Sequence, residues 1–117
     1  MKFTETGNTL LCNFTGRLDG EVCAEIERPL KSRINEFFTK QQHQDNQKAQ
    51  LVFDLNGVDY ISSAFLRLCL IHCKLAGKTS FTVARTSNNV YNVFRISGFT
   101  EIMQVDDAGE RSHRNVE

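Results

Sequence analysis

The chain has 117 residues, and its 14 lysines and arginines match 14 aspartates and glutamates, for a formal net charge of zero. That length suits one domain whose single core buries roughly two-thirds of the unfolded surface, and the balanced charge leaves no overall field to draw in nucleic acid or anionic lipid. The opening MKFTETGNTLLCNF scatters polar and charged groups where a signal peptide keeps an unbroken apolar run, and no stretch reaches bilayer-spanning length, so a soluble cytoplasmic protein is expected.

Residues 2–6 and 10–15 read as strands with Gly7-Asn8 as the turn between them, which predicts an N-terminal hairpin. Val22, Ile26, Leu30, Ile34, Phe37 and Phe38 then recur at close to 3.6 residues, an amphipathic helix with Asp19 as its N-cap. Pro29 falls inside that pattern and is expected to bend or split the helix. The polar, glutamine-rich run 40–48 reads as a solvated loop. Residues 51–55, LVFDL, form a short apolar run suited to a central strand buried on both faces.

A second helix is expected from Ser63 or Ala64 to about Ala76, stopped by Gly77. A strand over 80–84, a third helix over 88–97 ended by Gly98, and an edge strand over 101–105 complete the order. The result is an α/β fold: a single domain over 1–106 with a mixed sheet of about five strands, hairpin first and parallel strands after, and helices mainly on one face. Residues 107–117 are expected to be a flexible polar tail.

Cys12, Cys23, Cys69 and Cys73 lie scattered through apolar segments, consistent with buried, reduced thiols. Cys69 and Cys73 with His72 between them suggest zinc as an alternative, but a tetrahedral site lacks its fourth ligand there, and no metal is expected.

The adjacent Ser62 and Ser63 stand where the central strand's exit loop meets the second helix. Either can act as N-cap, accepting an orphaned backbone N–H in a contact worth on the order of 1 kcal/mol. A hydroxyl at a helix N-terminus can also carry a phosphate without unfolding its surroundings, because the exposed N–H groups and the partial positive charge accommodate it. Both roles are open for this pair.

The order of elements, with GRLD at 16–19, DLNGVDYISSAFLR at 54–67 and RISGFTEIM at 95–103, resembles the STAS domain, and more narrowly the single-domain bacterial anti-sigma factor antagonists. In that family an Asp-Ser-Ser-Gly type motif leads into the second helix, and its first serine is phosphorylated by a partner kinase. The resemblance places Ser62 at the aspartate, Ser63 at the phosphorylated serine, Ala64 at the second serine and Phe65 at the glycine. Phe65 departs from the pattern; its ring is expected either to restrict kinase access or to anchor a partner.

The resemblance implies partner switching. The unmodified surface around Ser63 docks on an anti-sigma factor that is also a serine kinase, and sigma factor is released. Phosphorylation breaks that contact, and a PP2C-type phosphatase resets it. Asp59 is a candidate carboxylate to repel the phosphate. Asp19 is first a helix cap and second a partner-facing group, and Asp54 either shapes the phosphorylation loop or simply ends its strand. Arg67, one turn from Ser63, is a solvated charge or a partner for phosphate or carboxylate. The alternative is a STAS scaffold that binds a protein or small ligand without phosphorylation.

An enzyme is not expected. A nucleophilic serine needs a base within hydrogen-bond reach, whereas His43 lies in the polar loop, His72 more than two turns down the helix and His113 in the tail. Gly-x-Ser-x-Gly, a Walker loop and Gly-x-Gly-x-x-Gly are all missing, so no cofactor is expected.

Overall fold

In the computed structural model, which describes residues 1–42 and 48–107, Gly7 adopts φ 59° and turns β1 (Lys2–Thr6) back onto β2 (Thr9–Asn13) as an antiparallel pair. That left-handed conformation favours glycine. β2 ends at Asn13, earlier than expected, although the Phe14 N–H still bonds across the sheet to the carbonyl of Asp54 at 3.0 Å. β3 (Gly16–Leu18) follows, and Asp19 Oδ1 accepts the Val22 N–H at 2.9 Å to open α1 (Gly20–Gln41).

Pro29 does not split α1, which continues for 22 residues. The proline ring is exposed, so the Glu25 carbonyl that loses its donor lies on the watered side of the helix. The helix also runs further than expected: Lys40 and Gln41 belong to its last turn, and buried Gln41 Nε2 donates to the Gly7 carbonyl at 3.4 Å. The rest of the anticipated glutamine loop, 43–47, lies outside the described residues.

β4 (Gln50–Asp54) is the middle strand of a five-stranded sheet in the order β1-β2-β4-β6-β7, with β6 at Phe81–Thr86 and β7 at Gln104–Asp107. All pairings after the hairpin are parallel. Register aligns Leu10, Leu51 and Phe81, and in the next inward row Cys12, Phe53, Val83 and Val105. These rows are buried, whereas Leu11 and Val52 between them are half-buried. The central strand therefore packs one face fully against the core, which corrects the expectation of two.

Two short strands escaped sequence analysis: β3 pairs in parallel with β5 (Val58–Ile61) as a separate ribbon. Three and four residues carry no periodicity to read. From β5 the chain enters α2 (Ser63–Ala76), ended by Gly77 at φ 100°. A 3₁₀ turn at Lys78–Ser80 leads into β6, and α3 (Asn88–Ile96) is capped by Ser87. A second 3₁₀ turn at Phe99–Glu101, continued by the Met103 N–H bonding the Phe99 carbonyl, pushes β7 beyond its expected place. Asp106 and Asp107 are thus strand, and the remaining tail, 108–117, lies outside the described residues.

Leu30, Ile34 and Phe37 of α1, Phe65, Leu68 and Cys69 of α2, and Val90 and Phe94 of α3 share one buried cluster with the inward sheet rows. All four cysteines are buried and free. Burial pushes the Cys12 thiol up to about 12. Cys69 and Cys73 flank His72 in the buried part of α2, and among the described residues no group of three or more His, Cys, Asp or Glu side chains could hold a metal ion. No helix of the described residues is long and apolar enough to cross a membrane.

Candidate functional site at the start of the second helix

The β3–β5 ribbon feeds two helices from adjacent parallel strands: Leu18 leads through Asp19 into α1, and Ile61 leads through Ser62 into α2. Both caps therefore stand side by side. The Ser62 N–H and its hydroxyl each donate to the Leu18 carbonyl, at 3.0 and 2.8 Å. The same Ser62 oxygen accepts the Phe65 N–H at 3.4 Å, and Cys23 Sγ lies 3.9 Å from it. Ser62 is consumed by the structure.

Ser63, the first residue of α2, has the opposite surroundings. It is exposed, and its hydroxyl enters none of the side-chain hydrogen bonds among the described residues. The two serines, interchangeable by residue type alone, thus divide the roles, with Ser62 the cap and Ser63 the accessible hydroxyl at the positive end of the helix.

Two residues after Ser63, a helical rotation of about 200° points the side chain inward. Phe65 is 0% exposed, its ring centroid 5.2 Å from Phe14 and 6.1 Å from Phe53. This corrects the expectation for Phe65: its ring is neither a screen across Ser63 nor an anchor for a partner but part of the aromatic core. Ala64 is half-buried, and Arg67, one turn on, is exposed on the same side as Ser63.

Asp59 is exposed on β5, and Asp19 is half-buried in its cap. Sequence analysis missed Arg17 and Tyr60. They are cross-strand partners in the ribbon, with the Arg17 guanidinium 4.1 Å from the Tyr60 ring centroid. Alternation in so short a strand gave no signal for the pair, although aromatic and arginine residues on exposed surfaces are those that most often anchor protein contacts.

The loop that delivers β5 is held from behind by Asp54. This buried carboxylate accepts from Asn13 Nδ2 at 2.6 Å, from the Asn56 N–H at 3.1 Å and from Arg85 Nε at 3.0 Å, and Arg85 Nη2 completes a forked ion pair. Arg85 makes this reach from φ 57°, the one positive φ outside glycine among the described residues. The hydrogen bond and charge of Asp54 raise the Arg85 pKa further. Asp54 thus ends its strand and ties the turn that follows to Arg85, 31 residues away.

A one-sided mixed α/β sheet, with a short parallel ribbon that presents a free serine at a helix start, defines a small domain of the STAS architecture. The model of the STAS domain family matches residues 2–111, and the chain belongs to that family. No curated protein matches it.

Proposed function

We propose that this protein is an anti-sigma factor antagonist that works by partner switching. In its unmodified form the surface around Ser63, including Asp59, Ala64 and Arg67, binds an anti-sigma factor that is also a serine kinase, and sigma factor is released. The kinase then transfers the γ-phosphoryl group of ATP to the Ser63 oxygen. A P–O bond to Ser63 forms, the β,γ-bridging P–O bond breaks, ADP leaves and the hydroxyl proton passes to solvent. The modified protein dissociates until a PP2C-type phosphatase hydrolyses the ester.

The observation that carries this reading is the division between the serines: Ser62 is bound inward to Leu18, while Ser63 next to it is exposed and unengaged. A phosphate there adds roughly −1.5 to −2 charges without breaking any contact of the fold. In an interface shaped for a neutral hydroxyl, that charge meets desolvation and repulsion from carboxylates, for which exposed Asp59 is the candidate on this chain. A penalty of about 3 kcal/mol lowers affinity on the order of a hundredfold.

The test is intact-mass measurement after incubation with ATP and histidine-kinase-like ATPase candidates. A gain of about 80 Da that disappears in Ser63→Ala supports the switch. No gain with any of them favours the scaffold reading, for which a cavity of about 550 Å³ lined by Asn35, Phe38, Gln41 and Leu75, at the other end of α1 and α2, is the place to seek a small ligand.

A further inference from the structure

We propose that Arg67 is the residue that registers modification of Ser63. While the hydroxyl is bare, its guanidinium is offered to a partner's carboxylate; once Ser63 carries a phosphate, the guanidinium folds back one turn and pairs with it. The inference rests on the partner-switching reading and names how the switch is transmitted.

Ser63 and Arg67 are four residues apart on α2 and both are exposed, so their side chains are neighbours on one helix face. The ion pairs among the described residues join Arg33 to Glu5 and Glu36, Lys40 to Glu5, and Arg85 to Asp54. Arg67 is in none of them. α2, SAFLRLCLIHCKLA, has no carboxylate of its own, and Asp19, the acid at the adjoining helix start, accepts the Val22 N–H. The other cation of the site, Arg17, already lies over the Tyr60 ring.

The orientation also suits capture. An anionic group four residues before a cation is the favourable order on a helix, and the forked guanidinium matches two phosphate oxygens. Below Arg67 the exposed stripe continues through Ile71 and Leu75, 40% and 57% exposed, with Lys74 beside them. The complementary partner surface is therefore a carboxylate set beside branched apolar side chains. Phosphorylation opposes such a partner twice, by adding negative charge and by withdrawing the cation that would receive its carboxylate.

The experiment needs neither kinase nor partner. Phosphoserine is placed at position 63 of the full chain during translation, and the second ionisation of the phosphate is followed by phosphorus NMR. Arg67→Gln is expected to raise the midpoint by roughly 0.4 pH units, Arg67→Lys to recover part of the difference, and Lys74→Gln to leave it unchanged. Equal midpoints in Arg67→Gln and the parent overturn the proposal, as does a shift just as large in Lys74→Gln. A matching melting temperature of unmodified Arg67→Gln shows that the fold is intact. Because the phosphate is installed directly, failure of a kinase to modify Ser63 sinks the switching function without altering this result.

Discussion

The Ser62 hydroxyl donates to the Leu18 carbonyl at 2.8 Å, across 44 residues of chain, and so fastens the start of α2 to the end of β3. Its neighbour Ser63 makes no such contact. Ser62→Ala should therefore destabilise the protein by about 1–2 kcal/mol, since it loses the cap and its bond to Leu18. Ser63→Ala should stay within about 0.5 kcal/mol of the parent. Urea unfolding of the two variants measures the difference, and equal losses would contradict the assignment of the cap to Ser62.

Phe65 occupies a fully buried place between Phe14 and Phe53. Phe65→Gly is expected to cost more than 3 kcal/mol, combining an aromatic cavity with glycine in a helix. Phe65→Leu should cost much less. A Phe65→Gly protein as stable as the parent would show that the ring is not part of the core.

His72 gives the fold an acid dependence. Burial lowers its pKa from 6.5 to about 4, with Lys31 nearby adding to the effect, and its Nδ1 has no hydrogen-bond partner among the described residues. Above pH 6.5 the ring is neutral whether the chain is folded or not. Between 6.5 and 4 the unfolded chain takes up the proton and the folded chain does not, so the stability that depends on His72 falls as pH falls, and this contribution levels off below 4. The gap of about 2.5 pH units corresponds to about 3 kcal/mol. Denaturant midpoints at pH 7.5, 6, 5 and 4 should trace this loss, and His72→Leu should flatten it.

Arg85 combines a left-handed backbone with a forked pair to Asp54. Arg85→Ala removes the pair and keeps the unfavourable φ; Arg85→Gly removes the pair and relieves it. The alanine variant should be less stable than the glycine variant by about 1 kcal/mol, a reversal of their usual order. Thermal melts decide the matter, and alanine above glycine would mean that the backbone there relaxes.

Sequence made α1 legible because 22 residues give several turns in which to read a period, and Asp19 because a cap before such a run has few other roles. The residue types alone could not tell Ser62 from Ser63, which only the family resemblance separated, since both are serines and moving the helix start by one residue turns every following side chain by about 100°. The same ambiguity concealed the inward direction of Phe65. β3 and β5 are too short to show alternation, and the bond between Asp54 and Arg85 joins residues far apart in the chain with no local pattern to announce it.

At the cap and in the first turn and a half of α2, Ser62 and Phe65 hold the fold together, while the side chains of Ser63 and Arg67 face outward and form no hydrogen bond or ion pair among the described residues. Interleaving of this kind separates folding from recognition at single-residue resolution. Descendants of this chain are free to rewrite the outer pair for a new companion, generation after generation, while the inner pair preserves the shape.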